Sequence, residues 1–150
     1  MIKLPSQLRK VTDQRLLKSI ESRMELVEQR LLDATKHTDA MVDSMASHLA
    51  KAGGKRVRPV LLLLTSELGD PNSPDILDAA VVMEITHLAT LYHDDVMDEA
   101  PLRRGVPSAH EVWGNSVAIL TGDLLFSRAS TLMTRLGEKA MLLQAETFER

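Results

Sequence analysis

The sequence predicts an all-α protein, a bundle of about six helices, and two observations favour this class. Leu, Ala, Met, Glu, Arg and Gln are frequent, and these residues lose little conformational freedom on entering a helix. Apolar residues also recur at helical spacing, whereas the alternation of apolar and polar residues that is typical of strands is scarce. The chain has 150 residues, 44% of them hydrophobic, which is enough for the core of one domain.

The first three helices are predicted from periodicity and from the breaks between them. The first covers about residues 8–32, and five of its apolar residues share one face: Leu16, Ile20, Met24, Val27 and Leu31. A polar segment at 35–38 separates it from the second helix, at about 39–51. Gly53-Gly54 then breaks the chain before a third helix at about 57–68.

The last three helices are separated by loop signals of the same kind. Residues 69–74 contain one glycine and two prolines, and they predict a loop before a fourth helix that runs from about Pro74 to Asp98. The segment 103–107 is expected to be a basic loop. A fifth helix is predicted at about 110–136, and a sixth, at 138–150, is still amphipathic at the last residue.

Composition and charge exclude several classes of function. There are no cysteines, which excludes disulfides, zinc–thiolate sites and cysteine nucleophiles. The net charge of -3 and an aromatic content of 3% argue against a nucleic-acid partner. The N-terminus lacks the apolar core of a signal peptide, and the longest charge-free apolar run, Val112 to Gly122, is too short for a transmembrane segment. We therefore expect a cytoplasmic location.

An acidic cluster ends the fourth helix. Asp94, Asp95 and Asp98 lie within one helical turn, at the end of the helix where the macrodipole favours cations. Oxygen ligands without sulfur favour magnesium or calcium. A solvated acidic helix end is the plain alternative, but Asp94 continues a largely apolar row: Ala80, Met83, His87 and Leu91. The pattern therefore predicts a metal site at the mouth of an apolar channel.

Two basic segments accompany this cluster. Gly53-Gly54 allows close approach of a ligand to the backbone, and Lys55, Arg56 and Arg58 follow at a helix N-terminus, which favours an anion. Arg103-Arg104 comes soon after the aspartates, and arginine binds phosphate oxygens in a fork. An ordinary basic turn and a charge-balancing loop are the alternatives. Together the three features indicate two diphosphates, one bridged by magnesium, above an apolar cleft.

The order and spacing of four segments resemble the trans-isoprenyl diphosphate synthases, and within them the long-chain polyprenyl diphosphate synthases of bacteria. The segments are Gly53 to Pro59, Glu84 to Asp98, Arg103 to Gly105, and Gly122-Asp123. The resemblance extends from about Ala46 to Met133. It implies the N-terminal portion of an isoprenoid-synthase helical bundle, Mg²⁺ as cofactor and a homodimer.

The resemblance also implies roles for single residues. Asp94 and Asp98 match metal ligands that hold the allylic diphosphate, Asp95 supports them, and Arg103 matches an arginine on the same diphosphate. Four residues match the metal-free pocket for isopentenyl diphosphate: Lys55, Arg58, His87 and Arg104. The implied reaction is ionisation of the allylic diphosphate, attack of isopentenyl diphosphate on the carbocation, and loss of a proton.

The expected product is a long-chain polyprenyl diphosphate. In short-chain members of the family, bulky aromatic residues one turn before the aspartates block the growing tail. Here those positions hold Ala89 and Thr90, both small, and the next obstruction expected on the row is Met83.

One feature of the family pattern is missing. The sequence has no second Asp-Asp-x-x-Asp motif, so we expect residues 1–150 to be the N-terminal part of one synthase domain and to be inactive alone. A non-catalytic subunit of a two-chain prenyltransferase is one alternative. A di-iron bundle that uses Glu84 and His87 as a Glu-x-x-His pair is another, although such a site needs a second pair, which the sequence lacks.

Overall fold

The computed structural model describes residues 13–149, and within this range it is a helical bundle, as predicted. The described residues form seven α-helices, one short hairpin and one 3₁₀ turn. In chain order these are α1 (Gln14–Thr35), α2 (Ala40–Lys51), α3 (Val57–Ser66), α4 (Asp75–Met97), β1 (Leu102–Arg103), β2 (Val106–Pro107), α5 (Ala109–Trp113), α6 (Asn115–Met133), the 3₁₀ turn (Thr134–Leu136) and α7 (Glu138–Glu149).

Helix α1 packs one apolar face on the bundle. Its fully buried residues follow the predicted 3–4-residue spacing: Ile20, Met24, Val27 and Leu31. Asp13 caps its N-terminus by accepting a hydrogen bond from the backbone N–H of Arg15 at 2.9 Å. Part of the predicted first helix, residues 8–12, lies outside the described residues.

Helix α4 is the centre of the bundle and contacts α1, α3 and α6. Val82, Ile85 and Leu88 are fully buried, and each contributes about 1.5–3 kcal/mol relative to an exposed side chain. Tyr92 is buried as well, and its hydroxyl donates to the backbone carbonyl of Met45 on α2. These contacts fix the C-terminal end of α4, where the acidic cluster lies.

One side of α4 is left partly uncovered by the described part of the chain. We call it the open face of α4, and it consists of Met83, Thr86, His87, Thr90 and Asp94. Apart from the adjacent Thr86 and His87, successive residues of this set are three or four positions apart, so they form one stripe along the helix. The open face connects the acidic end of α4 to the basic segment before α3.

The segment 103–107 is a hairpin rather than the predicted loop. Arg103 pairs with Val106, and the two residues between them, Arg104 and Gly105, have φ values of 55° and 81°. Positive φ at both central residues is the geometry of a tight two-residue hairpin turn. The prediction missed the hairpin because each strand is only two residues long.

The predicted fifth helix, 110–136, is interrupted. Gly114, with φ 85° and ψ 160°, separates α5 from α6, and the last turn of the predicted helix is 3₁₀. Because glycine adopts this conformation without steric cost, the chain changes direction there. Among the described residues, no helix is both long enough and apolar enough to cross a membrane.

Candidate active site on the open face of the central helix

The three aspartates at the end of α4 have different surroundings. Asp95 is completely buried, and its Oδ1 accepts a hydrogen bond from Arg103 Nε at 2.6 Å and lies 2.5 Å from Arg103 Nη2 in an ion pair. Asp94 is half-buried on the open face, and Asp98 is exposed. Among residues 13–149 no group of three His, Asp or Glu side chains is arranged to hold a metal ion. Asp95 faces the protein and pairs with Arg103, whereas metal binding by Asp94 and Asp98 stays a prediction.

Asp94 and Asp98 nevertheless suit a divalent cation. They lie one turn apart, with the Asp98 N–H donating to the Asp94 carbonyl at 2.8 Å. The last turn of α4, which is described throughout, contains no basic residue to offset their charge. Two accessible carboxylates are too few to hold magnesium alone, but magnesium commonly keeps several waters and binds substrate phosphates in addition. The donor set fits a metal that is bound together with a phosphate ligand.

The second part of the site is a basic pocket, a cavity of about 160 Å³ between the start of α3, α4 and the hairpin. It is lined by Lys55, Arg56, Val57, Arg58, Glu84, His87 and Arg104. The structure thus brings together Lys55, Arg58, His87 and Arg104, the four residues that the resemblance assigns to isopentenyl diphosphate. Lys55 and Arg58 are exposed, which leaves their charges available to an anion.

His87 is neutral at physiological pH. Burial, and then the positive charges of Arg58 and Arg104, lowers the pKa of His87 to about 4. A neutral imidazole can still donate one hydrogen bond to a phosphate oxygen. An anion in the pocket would counter the neighbouring positive charges and raise the pKa of His87.

Arg104 is held partly by the protein itself. Its Nη1 donates to the carbonyls of Leu49, at 3.0 Å, and Gly53, and its Nη2 lies 3.7 Å from Glu84 Oε1. A Cβ on Gly54 would lie 2.8 Å from the Arg104 Cζ, so Gly54 is required for this close approach. Burial is the main cause that lowers the pKa of Arg104.

Arg56 is buried in an ion pair and is not available to an anion, in contrast to the prediction from the sequence. It was grouped with Lys55 and Arg58 as an anion-binding cation, but its side chain is only 2% exposed and pairs with Glu28 and Glu84. Glu84 is itself 2% exposed and faces the guanidinium groups of Arg56 and Arg104. Because its carboxylate is bound to two cations, Glu84 does not suit the metal-ligand role that the di-iron alternative requires.

The residues predicted to control product length do not share one face. Met83 is 43% exposed and Thr90 is half-buried, both on the open face of α4. Ala89 is 0% exposed and lies on the covered side of the helix. Because successive residues differ by about 100° around a helix, Ala89 and Thr90 point to different sides, and which of them borders the tail stays a prediction.

Two features of the site were not found by sequence reasoning. The first feature is the position of the His93 ring, whose Nε2 lies 3.1 Å from the Ile119 carbonyl and 3.3 Å from Asp123 Oδ1. A Cβ on Gly122 would lie 2.3 Å from the same Nε2. The other is Glu28, which lies on α1 and outside the four segments that carry the resemblance. Gly122 was a sequence signal for the close packing of the His93 ring, whereas no sequence signal pointed to Glu28.

Comparison with known proteins defines the class to which this fold and site belong. Residues 39–150 match the polyprenyl synthetase family, and the chain belongs to that family. The resemblance inferred from the sequence is thereby confirmed, and so is the all-α isoprenoid-synthase fold.

Two solved structures illustrate the similarity of fold. A polyprenyl synthase from Caulobacter crescentus CB15, in complex with calcium and isoprenyl diphosphate, has a TM-score of 0.81 and 37% identity, and the match covers 88% of this chain and 40% of that chain. A geranylgeranyl pyrophosphate synthase from Corynebacterium glutamicum, with the same ligands, has a TM-score of 0.79 and 48% identity, with 91% and 42% covered.

Curated relatives include long-chain enzymes. The nonaprenyl diphosphate synthase of Mycobacterium tuberculosis is 48% identical over 123 residues, which are 81% of this chain and 37% of the relative. Component 2 of the heptaprenyl diphosphate synthase of Bacillus subtilis is 38% identical, with 83% of this chain and 36% of the relative covered. The chain therefore spans less than half of the length of these relatives.

Proposed function

We propose that this chain supplies the N-terminal half of the active site of a prenyltransferase that condenses isopentenyl diphosphate with an allylic diphosphate to a long-chain trans-polyprenyl diphosphate. One observation carries the proposal: the open face of α4 joins the two anion sites. Asp94 lies seven residues after His87 on this face, about 10 Å along the helix at 1.5 Å per residue. Two diphosphates at these sites would bring their prenyl groups together.

The acidic end of α4 would hold the allylic substrate. Asp94 and Asp98 would hold Mg²⁺ together with the diphosphate, and a bound Mg²⁺ would supply positive charge to stabilise the leaving group. Asp95 keeps Arg103 beside this site, and the part of the Arg103 guanidinium that is exposed is free to contact the same diphosphate. This is the supporting role that the resemblance implies for Asp95.

The basic pocket would hold isopentenyl diphosphate without metal. Lys55 and Arg58 supply exposed positive charge, neutral His87 supplies one hydrogen-bond donor, and Arg104 supplies the N–H groups that do not bond to the backbone. The remaining ligands belong to a C-terminal half with a second aspartate-rich motif. We further propose that the assembled synthase is a cytoplasmic homodimer.

A non-catalytic subunit of a two-chain prenyltransferase is the second candidate. The observation that favours it is the similarity to a protein named as one component of a synthase. Against it stand Asp94 and Asp98, which remain accessible at the end of α4 where their charges are unfavourable unless a cation binds.

A chimera tests the proposed activity. The chain is joined to the C-terminal portion of the Corynebacterium glutamicum relative and assayed with isopentenyl diphosphate, an allylic diphosphate and Mg²⁺. We expect elongated products from the chimera and a loss of several orders of magnitude for Asp94→Ala, because leaving-group stabilisation acts in the transition state. A folded chimera that is inactive, or equal activity of Asp94→Ala, would contradict the proposal.

A further inference from the structure

The guanidinium of Arg56 is fully occupied by partners within the protein. Nε donates to Glu28 Oε1, and Nη2 donates to Glu28 Oε2 at 3.1 Å and to the Ala50 carbonyl at 2.9 Å. Nη1 donates to Glu84 Oε1 at 2.8 Å and to the Gly53 carbonyl at 3.4 Å. An arginine has five N–H donors, and each of these five has an acceptor among the described residues. Arg56 therefore has no donor left for a ligand.

The same residue determines the path of the backbone into α3. Arg56 is the N-cap of α3 and has φ 47°, and Gly53 and Gly54, three and two positions before it, have φ 81° and 151°. A left-handed arginine is unfavourable and persists only where its surroundings hold it. Here the two carboxylates hold it from different helices, Glu28 from α1 and Glu84 from α4.

Lys55 and Arg58, the residues proposed to face the ligand, lie on either side of Arg56 in the sequence. Lys55 directly precedes Arg56, and Arg58 follows it by two positions in the first turn of α3. Both line the basic pocket, together with Arg56 and Glu84, whereas Glu28 does not line it. Apart from the long-range effect of its charge, a change at Glu28 therefore reaches the pocket through Arg56.

We propose that Glu28 is a positioning residue for the basic pocket: its two-point bond to Arg56 fixes the left-handed turn that aims Lys55 and Arg58 at a diphosphate. The inference rests on the proposed function, because it names what organises the isopentenyl diphosphate pocket. Glu84 lies in the pocket and contacts both Arg56 and Arg104, so a change at Glu84 would alter several contacts at once. A change at Glu28 alters the support of Arg56 without removing a residue that lines the pocket.

For Glu28→Gln, the loss of charge and the loss of positioning predict opposite changes in the affinity of the pocket for a diphosphate. Removal of a negative charge near an anion pocket makes its potential more positive, which by itself tightens diphosphate binding. Loss of the fixed turn instead disperses Lys55 and Arg58 and weakens binding. The sign of the change in affinity therefore separates the two effects.

The experiment is calorimetric titration of the chain with inorganic pyrophosphate in EDTA, which removes any contribution of metal at Asp94 and Asp98. Glu28→Gln is compared with Glu25→Gln, which removes the same charge from an exposed site on α1 one turn earlier. Glu28→Asp is a third variant, since it keeps the charge but is too short to span Nε and Nη2. Helicity of each variant is verified by circular dichroism.

We expect Glu28→Gln and Glu28→Asp to bind pyrophosphate on the order of tenfold more weakly than the wild type, the lower end of what loss of an outer-shell partner costs a metal site. Glu25→Gln should match the wild type. If the wild-type chain binds and both Glu28 variants, folded, bind equally or more tightly, the positioning role is wrong while the pocket stands. If the wild-type chain does not bind at all, the proposed pocket fails, and the inference fails with it.

Discussion

Asp95 and Arg103 form an ion pair in which the carboxylate is 0% and the guanidinium 30% exposed, with Nη2 2.5 Å from Oδ1. The pair joins the last turn of α4 to strand β1, so the middle aspartate of the acidic motif connects two elements. Asp95 Oδ2 is buried and has no hydrogen-bond partner within residues 13–149. A buried carboxylate with a free oxygen is expensive unless a partner is bound. The aspartates of this motif thus differ in role, and the predictions below separate those roles.

Asp95→Asn should destabilise the protein, whereas Asp98→Asn should not. Asparagine presents a neutral acceptor to Arg103, and the loss of charge-assisted bonds costs about 2 kcal/mol. Asp98 is exposed at a helix C-terminus that disfavours negative charge, so its replacement should change stability by less than about 0.5 kcal/mol. Urea unfolding followed by circular dichroism measures both values. Equal effects would show that the pair does not anchor the hairpin.

Magnesium should bind weakly to the chain alone and much more tightly with pyrophosphate present. Asp94 and Asp98 supply only part of a magnesium coordination shell, and phosphate oxygens supply more. Titration calorimetry with and without pyrophosphate measures this coupling, after subtraction of magnesium binding to pyrophosphate in solution. Asp94→Ala should abolish the coupling. If the affinity for magnesium is the same in both titrations, the shared-site arrangement is incorrect.

Stability should fall as the pH drops from about 6.5 toward 4, and His87 should account for part of the loss. The pKa of His87 is about 4 in the folded state and lies near 6.5 in the unfolded chain. Between these values the unfolded state binds more protons, so acidification favours unfolding. For a half-exposed ring the contribution is on the order of 1–2 kcal/mol.

The matched variant for this pH effect is His87→Gln, which keeps a polar side chain but does not titrate. Its unfolding free energy should change less between pH 7 and pH 4.5 than that of the wild type. A diphosphate should also raise the pKa of His87, so pyrophosphate binding should take up a fraction of a proton near pH 5. Parallel stability curves for the two proteins would argue against a depressed pKa.

Gly122→Ala should be destabilising even though alanine is the better helix former. The added Cβ would lie 2.3 Å from His93 Nε2, so the ring must leave its contact with the Ile119 carbonyl. Overpacking of this kind costs about 1–3 kcal/mol, partly offset by about 1 kcal/mol of helix propensity. Gly69→Ala, where the nearest atom is 3.9 Å away, is the control. The double variant His93→Ala/Gly122→Ala should recover stability; additive losses would refute the steric explanation.

Thr90 should control product length more cleanly than Ala89. Thr90 shares the open face of α4 with Met83, so Thr90→Phe in the chimera should shorten the products, because a bulky side chain about one turn (5.4 Å) below Asp94 would block the growing tail. Ala89→Phe should instead overpack the core and lower stability by about 1–3 kcal/mol. Chromatography of the products tests Thr90→Phe, and thermal unfolding tests Ala89→Phe. An unchanged product distribution for Thr90→Phe would mean that the tail does not pass this residue.

The sequence was sufficient where the deciding interactions are local. The bounds of α2 and α4 agree with the prediction within a residue or two, because the capping Asp39, the break at Gly53-Gly54 and the loop at 69–74 act on their neighbours. The nearness of the acidic and basic segments also followed from sequence, since both anion sites lie on or beside one helix. The sequence did not decide the break at Gly114, because glycine is also tolerated within a helix.

Tertiary structure decided which of several similar residues face a ligand. Lys55, Arg56 and Arg58 read alike in the sequence, but Arg56 is enclosed because Glu28 and Glu84, from helices distant in the chain, meet at its guanidinium. Ala89 and Thr90 are adjacent, yet only Thr90 lies on the open face, since packing of α1, α3 and α6 determines which arc of α4 is covered. Periodicity gives the angle between two residues on a helix, and only the neighbouring helices determine which angle is buried.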